Sequence, residues 1–281
     1  MRKSILTLSV AAALAAPGLA AAQATATAAP ASPHTLTGNV GLFSEYRFRG
    51  IDQTFGKPAL QGGFDYAHSS GLYVGNWNSN VSEGAGFPGA SLEMDFYGGF
   101  KKSFGDFGLD VGFIWYMYPG SDAGATIQYS PVNSAGTVHS GKVDNKEIYI
   151  GGSWKFLSLK YYYSIDDYFS IPESKKSNYI DLGATWDLGN GWGVNGHVGQ
   201  LKLKSVNNGD YTDWKLGVTK DIGGYVFGLA YIDTNAKGNC GTTPAEFYCF
   251  GNGTSDTVTG APTKTKDAGD TTFVLSVSKS F

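Results

Sequence analysis

Apolar and polar residues alternate with a period of two in segment after segment of this chain, and that pattern limits the folds open to it more than any other feature. Residues 107–118 show it most clearly. Phe107, Leu109, Val111, Phe113, Trp115 and Met117 share one face, and Asp110, Tyr116 and Tyr118 share the other. Successive side chains of an extended strand point to opposite sides, so such a segment presents one apolar wall and one polar wall. The same reading predicts about twelve strands, near residues 39–49, 59–67, 72–81, 92–101, 107–118, 146–154, 157–166, 179–187, 192–203, 212–220, 225–233 and 271–281. In the first, Val40, Leu42, Tyr46 and Phe48 are expected opposite Asn39, Glu45, Arg47 and Arg49. In the third, Tyr73, Trp77 and Val81 are expected on the apolar face, with Asn76, Asn78 and Asn80 on the polar one. The ninth changes phase between Val194 and Val198 on one hand and Leu201 and Leu203 on the other. A β-bulge near Gly199 would account for that.

The links between these segments fall into two classes. Residues 68–71, 103–106, 155–156, 188–191 and 221–224 are short, whereas 50–58, 82–89, 119–145, 167–178, 204–211 and 234–270 are longer. Short and long links alternating across an even number of antiparallel strands imply turns on one side and loops on the other. The expected fold class is all-β, a transmembrane antiparallel β-barrel of about twelve strands with both termini on the periplasmic, short-turn side. Strands of ~9 to 11 residues suit a tilted crossing of a bilayer, whereas those of an exported β-sandwich average ~5 to 6. Aromatic residues collect at the short turns, at Phe104, Phe107, Trp154, Phe156, Trp186, Trp192, Tyr225 and Phe281. An interfacial girdle belongs there.

Composition agrees. Glycine supplies 40 of 281 residues, and charged residues only 16%, against ~7% and ~25% in ordinary soluble domains. The net charge of −3 carries no nucleic-acid footprint. Arg2 and Lys3 precede an apolar run over residues 5–16, followed by Pro17, Gly18, Ala20, Ala21 and Ala22. This is the layout of a cleaved secretory signal peptide, and the run is shorter than the ~20 residues of a spanning helix. The expected organisation is a signal peptide over 1–22, a flexible lead-in over 23–35 and one barrel over 36–281, in the outer membrane. The last strand ends on Phe281, in phase with Phe273, Leu275 and Val277. That ending resembles the C-terminal mark by which outer-membrane barrels are passed to their assembly machinery. The machinery, membrane lipids and lipopolysaccharide are the expected partners, with no nucleic acid.

No residues call for catalysis. His139 and His197 could be drawn beside a serine, yet there is no Gly-x-Ser-x-Gly element, and His197 has the parity of a lumen residue beside Asn195. No His and Cys spacing suits a metal and no cofactor is expected. Cys240 and Cys249, nine positions apart in an exported chain, are expected to form a disulfide. The polar faces are expected to line a pore. They carry Glu45, Asp65, Glu93, Asp95, Asp110, Glu147, Asp166, Asp181, Asp187 and Asp213 against Arg47, Arg49, Lys101, Lys160 and Lys215. An excess of carboxylates favours cations. The function expected is passive diffusion of small solutes or ions. The alternative is a non-conducting surface protein whose long loops bind a partner.

Residues 46–75, with Asn76, Trp77, Asn80 and Val81 after them, resemble the TorF family of proteobacterial outer-membrane porins. The likeness rests on Tyr46, Arg47, Phe48, Arg49 and Gly50, on Pro58, Ala59, Gln61 and Gly62, and on Phe64, Asp65, Tyr66 and Gly71. It implies a barrel and passive diffusion, and brings no catalytic residues with it.

Overall fold

The computed structural model describes residues 32–122, 141–254 and 262–281. The expected signal peptide, most of the lead-in, and His139 lie outside the described residues. Twelve long strands form one wall: β1 (His34–Phe43), β2 (Ala59–His68), β3 (Leu72–Asn80), β4 (Leu92–Phe104), β5 (Phe107–Met117), β6 (Asp144–Trp154), β7 (Leu157–Ser164), β8 (Asn178–Gly189), β9 (Trp192–Lys202), β10 (Tyr211–Ile222), β11 (Tyr225–Thr234) and β12 (Thr272–Ser280). Each pairs antiparallel with its sequence neighbour. β1 also pairs with β12, from Asn39 opposite Ser280 to Phe43 opposite Ser276, and closes the barrel. Closure leaves no unpaired strand edge.

Tight turns close one end. Asn190 with Gly191, and Gly223 with Gly224, all take positive φ, the backbone that a two-residue turn between twisted strands requires. Phe281 completes the seam: its N–H donates to the Gly38 carbonyl at 2.9 Å and its carbonyl accepts from Gly38 N–H at 2.8 Å.

Burial is inverted relative to a water-soluble domain. Leu36, Leu60, Phe64, Leu216, Phe273 and Leu275 lie outward and exposed, whereas Glu93, Asn145, Glu147, Ser164 and Asp213 are fully buried inside. The interior changes character along the axis. On the loop side it is a packed core containing Tyr118, Ile114, Leu201, Val143 and Tyr211. Toward the short turns the inward positions are small, including Gly108, Ser153, Ser158, Gly183, Gly193, Thr219, Ser276 and Ser278, and none of these is buried.

Three expectations need correction. The first strand is β1, which starts at His34 and leaves the wall after Phe43, so Tyr46 to Arg49 do not continue it. Tyr46 and Phe48 are inside the barrel, packed edge-on against Trp77 and Tyr116. The faces of β3 are exchanged. Trp77 and Ser79 are buried inside, while Leu72 and Val74 are exposed outside in phase with Asn76, Asn78 and Asn80. Outward asparagines are tolerable there because they bond to the wall itself. Asn78 Nδ2 donates to Asn76 Oδ1 at 2.6 Å, Asn76 Nδ2 to the Asp95 carbonyl at 3.0 Å, and Asn80 Oδ1 accepts from Leu60 N–H at 2.8 Å. Finally, pairing runs unbroken past Gly199 on both sides of β9, and the register shift lies between Asp187 and Gly189. Leu201 and Leu203 are buried because the loop-side interior is apolar. The phase change reports what fills the barrel, not a bulge.

Candidate functional site

The interior is the candidate site, and its centre is a segment that folds inward. Residues 44–58 leave β1 and form a small hairpin within the barrel, Arg47 opposite Asp52 and Phe48 opposite Ile51. Arg49 and Gly50 make its tip, with φ of 49° and 81°. Such a turn needs positive φ at both positions. At Gly50 a Cβ would also meet Thr234 and, at 2.8 Å, the Asp213 side chain. The tip thus touches the wall at β10 and β11, where Tyr211 Oη donates to the Arg49 carbonyl at 2.9 Å.

Two arginines hold the hairpin. Arg49 donates through both Nη atoms to Glu147, at 3.0 and 2.7 Å, and through Nη1 to Tyr168 Oη at 3.2 Å. Its guanidinium also lies 4.3 Å from the Tyr179 ring centre and 4.8 Å from that of Phe48. Burial by itself would lower the Arg49 pKa, but the Glu147 carboxylate more than offsets it and the net shift is upward. Burial likewise pushes the Tyr168 phenol up to about 12, with Arg49 opposing. Arg47 donates to the carbonyls of Ala268, Asp270 and Gly50 at 2.9, 3.0 and 3.2 Å, and pairs with Glu45 at 3.2 Å. Lys266, from the last long loop, reaches Asp52 at 2.7 Å and Glu45 at 3.7 Å. Cys240 and Cys249 are joined by a disulfide in that same loop, and Cys249 begins the short ribbon that pairs with residues 265–267.

Arg47 and Arg49 therefore line no open constriction. Their charges are spent on the plug. Several of the other charged residues of the polar faces sit on the inner side of the wall. Asp110 is bonded to Lys160 at 2.8 Å and to Tyr73 Oη at 2.6 Å. Asp65 accepts from Tyr97 at 2.6 Å. His197 lies between Asp181 at 3.1 Å and Asp213 at 3.4 Å, and Tyr179 donates to Asp213 at 2.9 Å. Glu93 accepts from Tyr46 at 3.2 Å. Asp95, Lys101 and Lys215 take inward positions on β4 and β10. Asp166, by contrast, sits in a loop beyond β7, paired with Lys146 at 3.0 Å.

Tyrosines sort this interior, and sequence reading did not single out their packing on glycines. Tyr97 lies on Gly75, Tyr73 on Gly99, Tyr149 on Gly112 and Tyr179 on Gly199, each filling the space that a neighbouring strand's Cβ would occupy. Asp52, Tyr168 and Lys266 were missed as well. The recurrent inward pairing of Gly with Tyr was the available clue for the first group. The others depend on contacts between distant loops, which no local pattern records.

Residues 27–281 match the sequence model of a family described as a bacterial protein of unknown function, Gcw_chp. No curated protein matches the chain. Among solved structures, the KdgM porin is similar with a TM-score of 0.48 and 8% identity, over 87% of this chain and 99% of that one. The NanC porin gives 0.45 and 9%, over 88% and 99%. OmpT of Vibrio cholerae gives 0.40 and 10%, over 88% and 97%.

Proposed function

The chain belongs to the bacterial Gcw_chp family, whose description assigns no function, and from that premise we propose that it is a porin-like outer-membrane channel closed by its own inward hairpin. One observation carries the reading. The barrel has an apolar outer belt and a lumen of small, accessible residues toward the short turns, and this lumen is separated from the loop side by a segment held through ion pairs and hydrogen bonds rather than by the wall alone. The likeness of residues 46–75 to TorF porins supports the same function. Export through a cleaved signal peptide, periplasmic termini, and assembly guided by Phe281 complete the reading.

Cation preference follows from charge. The wall contributes Asp65, Glu93, Asp95, Asp110, Glu147, Asp181 and Asp213 against Lys101, Lys160 and Lys215, and a low-dielectric wall focuses the resulting negative potential. Planar-bilayer recording of the wild type and of a variant with residues 45–57 replaced by a short glycine linker is the test. The wild type should be nearly silent or flickering, and the variant should conduct steadily with a cation-selective reversal potential in asymmetric KCl. A folded deletion variant that stays silent would sink the channel and favour the second reading, a non-conducting surface protein. The packed loop-side interior is the observation in that reading's favour.

A further inference from the structure

Four lysines stand at the short-turn end of the barrel, each over an aromatic ring of the outward girdle. Lys102 Nζ lies 5.8 Å from the Phe104 ring centre, Lys155 5.0 Å from Trp154, Lys220 4.9 Å from Trp192 and Lys279 4.2 Å from Tyr225. All four rings are exposed outward. None of the four lysines pairs with a carboxylate among the described residues, although Lys220 donates to the Asn190 carbonyl at 2.6 Å. Two lysines toward the loop end differ in that each has a carboxylate partner, although Lys146 also lies 5.9 Å from the Trp115 ring centre. Lys146 is shared by Asp144 and Asp166, and Lys202 is paired with Asp210, all at 3.0 Å. A lysine neutralised by a carboxylate has little left for a further anion. One whose stem lies on a ring keeps its ammonium donors free at the water boundary.

We propose that this rim binds the phosphate groups of anionic glycerophospholipids in the leaflet that meets the short turns. The inference rests on the reading that the barrel spans a membrane. The pairs are spread around the wall, on β4, on the turn between β6 and β7, across β9 and β10, and across β11 and β12, so they mark a level rather than a patch. Rings of a girdle sit at headgroup depth, and the lysines over them are then placed where lipid phosphates are. A headgroup with net negative charge leaves that phosphate uncompensated, whereas a zwitterionic one supplies its own cation. The rim therefore selects by net charge.

The test counts lipids retained by the purified barrel from bilayers with equal phosphatidylglycerol and phosphatidylcholine of matched chains, by native mass spectrometry. The wild type should retain phosphatidylglycerol at about fivefold excess, the size expected of one lysine near an anionic surface. Changing Lys102, Lys155, Lys220 and Lys279 together to Gln should bring retention to parity. The corresponding four Lys→Arg changes should preserve the excess, as should Lys146→Gln with Lys202→Gln at the loop end. Parity in the wild type, or equal loss in the loop-end control, overturns the proposal. Insertion is scored separately by protease protection of the heat-modifiable barrel. Failure to insert in any lipid would overturn the membrane reading and this inference with it, while insertion without preference overturns the lipid inference alone.

Discussion

Arg49 and Glu147 form the interaction on which the plug depends most. Glu147 is wholly buried and Arg49 is its only cationic partner among the described residues. Removing one partner of a buried pair strands the other charge and costs about 3–5 kcal/mol. Arg49→Ala should therefore lower the urea midpoint of the folded barrel markedly. Arg49→Lys should recover only part of the loss, because it keeps the charge and loses the two-pronged donor geometry. Burial pushes the Tyr168 phenol up to about 12, so its hydrogen bond to Arg49 is expected to be insensitive to pH between 6 and 9. Because Arg47 and Arg49 are both bonded within the plug, replacing the two together is expected to loosen the plug before it changes ion selectivity. Gly199 is the second decisive residue, since the Tyr179 phenol occupies its Cβ position. Gly199→Val should cost about 1–3 kcal/mol as overpacking and release the Tyr179 bond to Asp213, visible as a drop in midpoint with the barrel still assembled.

At the scale of the strand, the two faces of the wall should answer differently to the same charge. Leu216 is exposed outward on β10 and Thr219 faces the accessible part of the lumen. A lysine in the lipid-facing band near mid-bilayer costs ~2–4 kcal/mol, and one in a wet lumen costs little. Leu216→Lys should block the heat-modifiable folded form and Thr219→Lys should leave it intact. Equal tolerance would remove the case for a membrane wall. Asp110 is no neutral control for such an experiment, because it is bonded to Lys160 and Tyr73. The last long loop is an element in its own right, with its ribbon, its disulfide and Lys266 clamped onto the plug. Thiol labelling of denatured, unreduced protein should find no free cysteine. Replacing both cysteines by Ser should destabilise the loop by about 2–3 kcal/mol and raise the frequency of channel opening.

For the whole molecule, the balance of charge and the state of the plug are separable. With the hairpin deleted, Glu93→Gln together with Asp95→Asn should shift the reversal potential toward zero. The shift should fade near 1 M salt, where the Debye length falls to ~3 Å. A shift of the same size at low and high salt would mean that these carboxylates act through structure rather than through their field.

The period of two, the alternation of short and long links and the aromatic positions are local properties, and they determined the strand count, the closed antiparallel order and most of the outward face. Asp110, Glu147, Lys160 and Asp213 are buried at the strand positions where alternation puts the inner face, because parity along a strand is a covalent matter. What parity cannot say is what stands on the far side of each face. β3 was read with its faces exchanged because Tyr73 and Trp77 were assumed to want lipid. The barrel holds them inside beside Asp110 and Tyr46, and outside it lets the three asparagines bond to one another and to the wall's backbone. The phase change at Leu201 and Leu203 was read as a bulge, when the interior around them is apolar. The run from Tyr46 to Gly50 continues the alternation of β1 by pattern alone. It turns inward where Glu147, Ala268, Asp270 and Tyr211, all more than ninety positions away in the chain, supply its partners. Short-range chemistry thus built the wall, and only contacts between distant segments decided that the wall is stoppered.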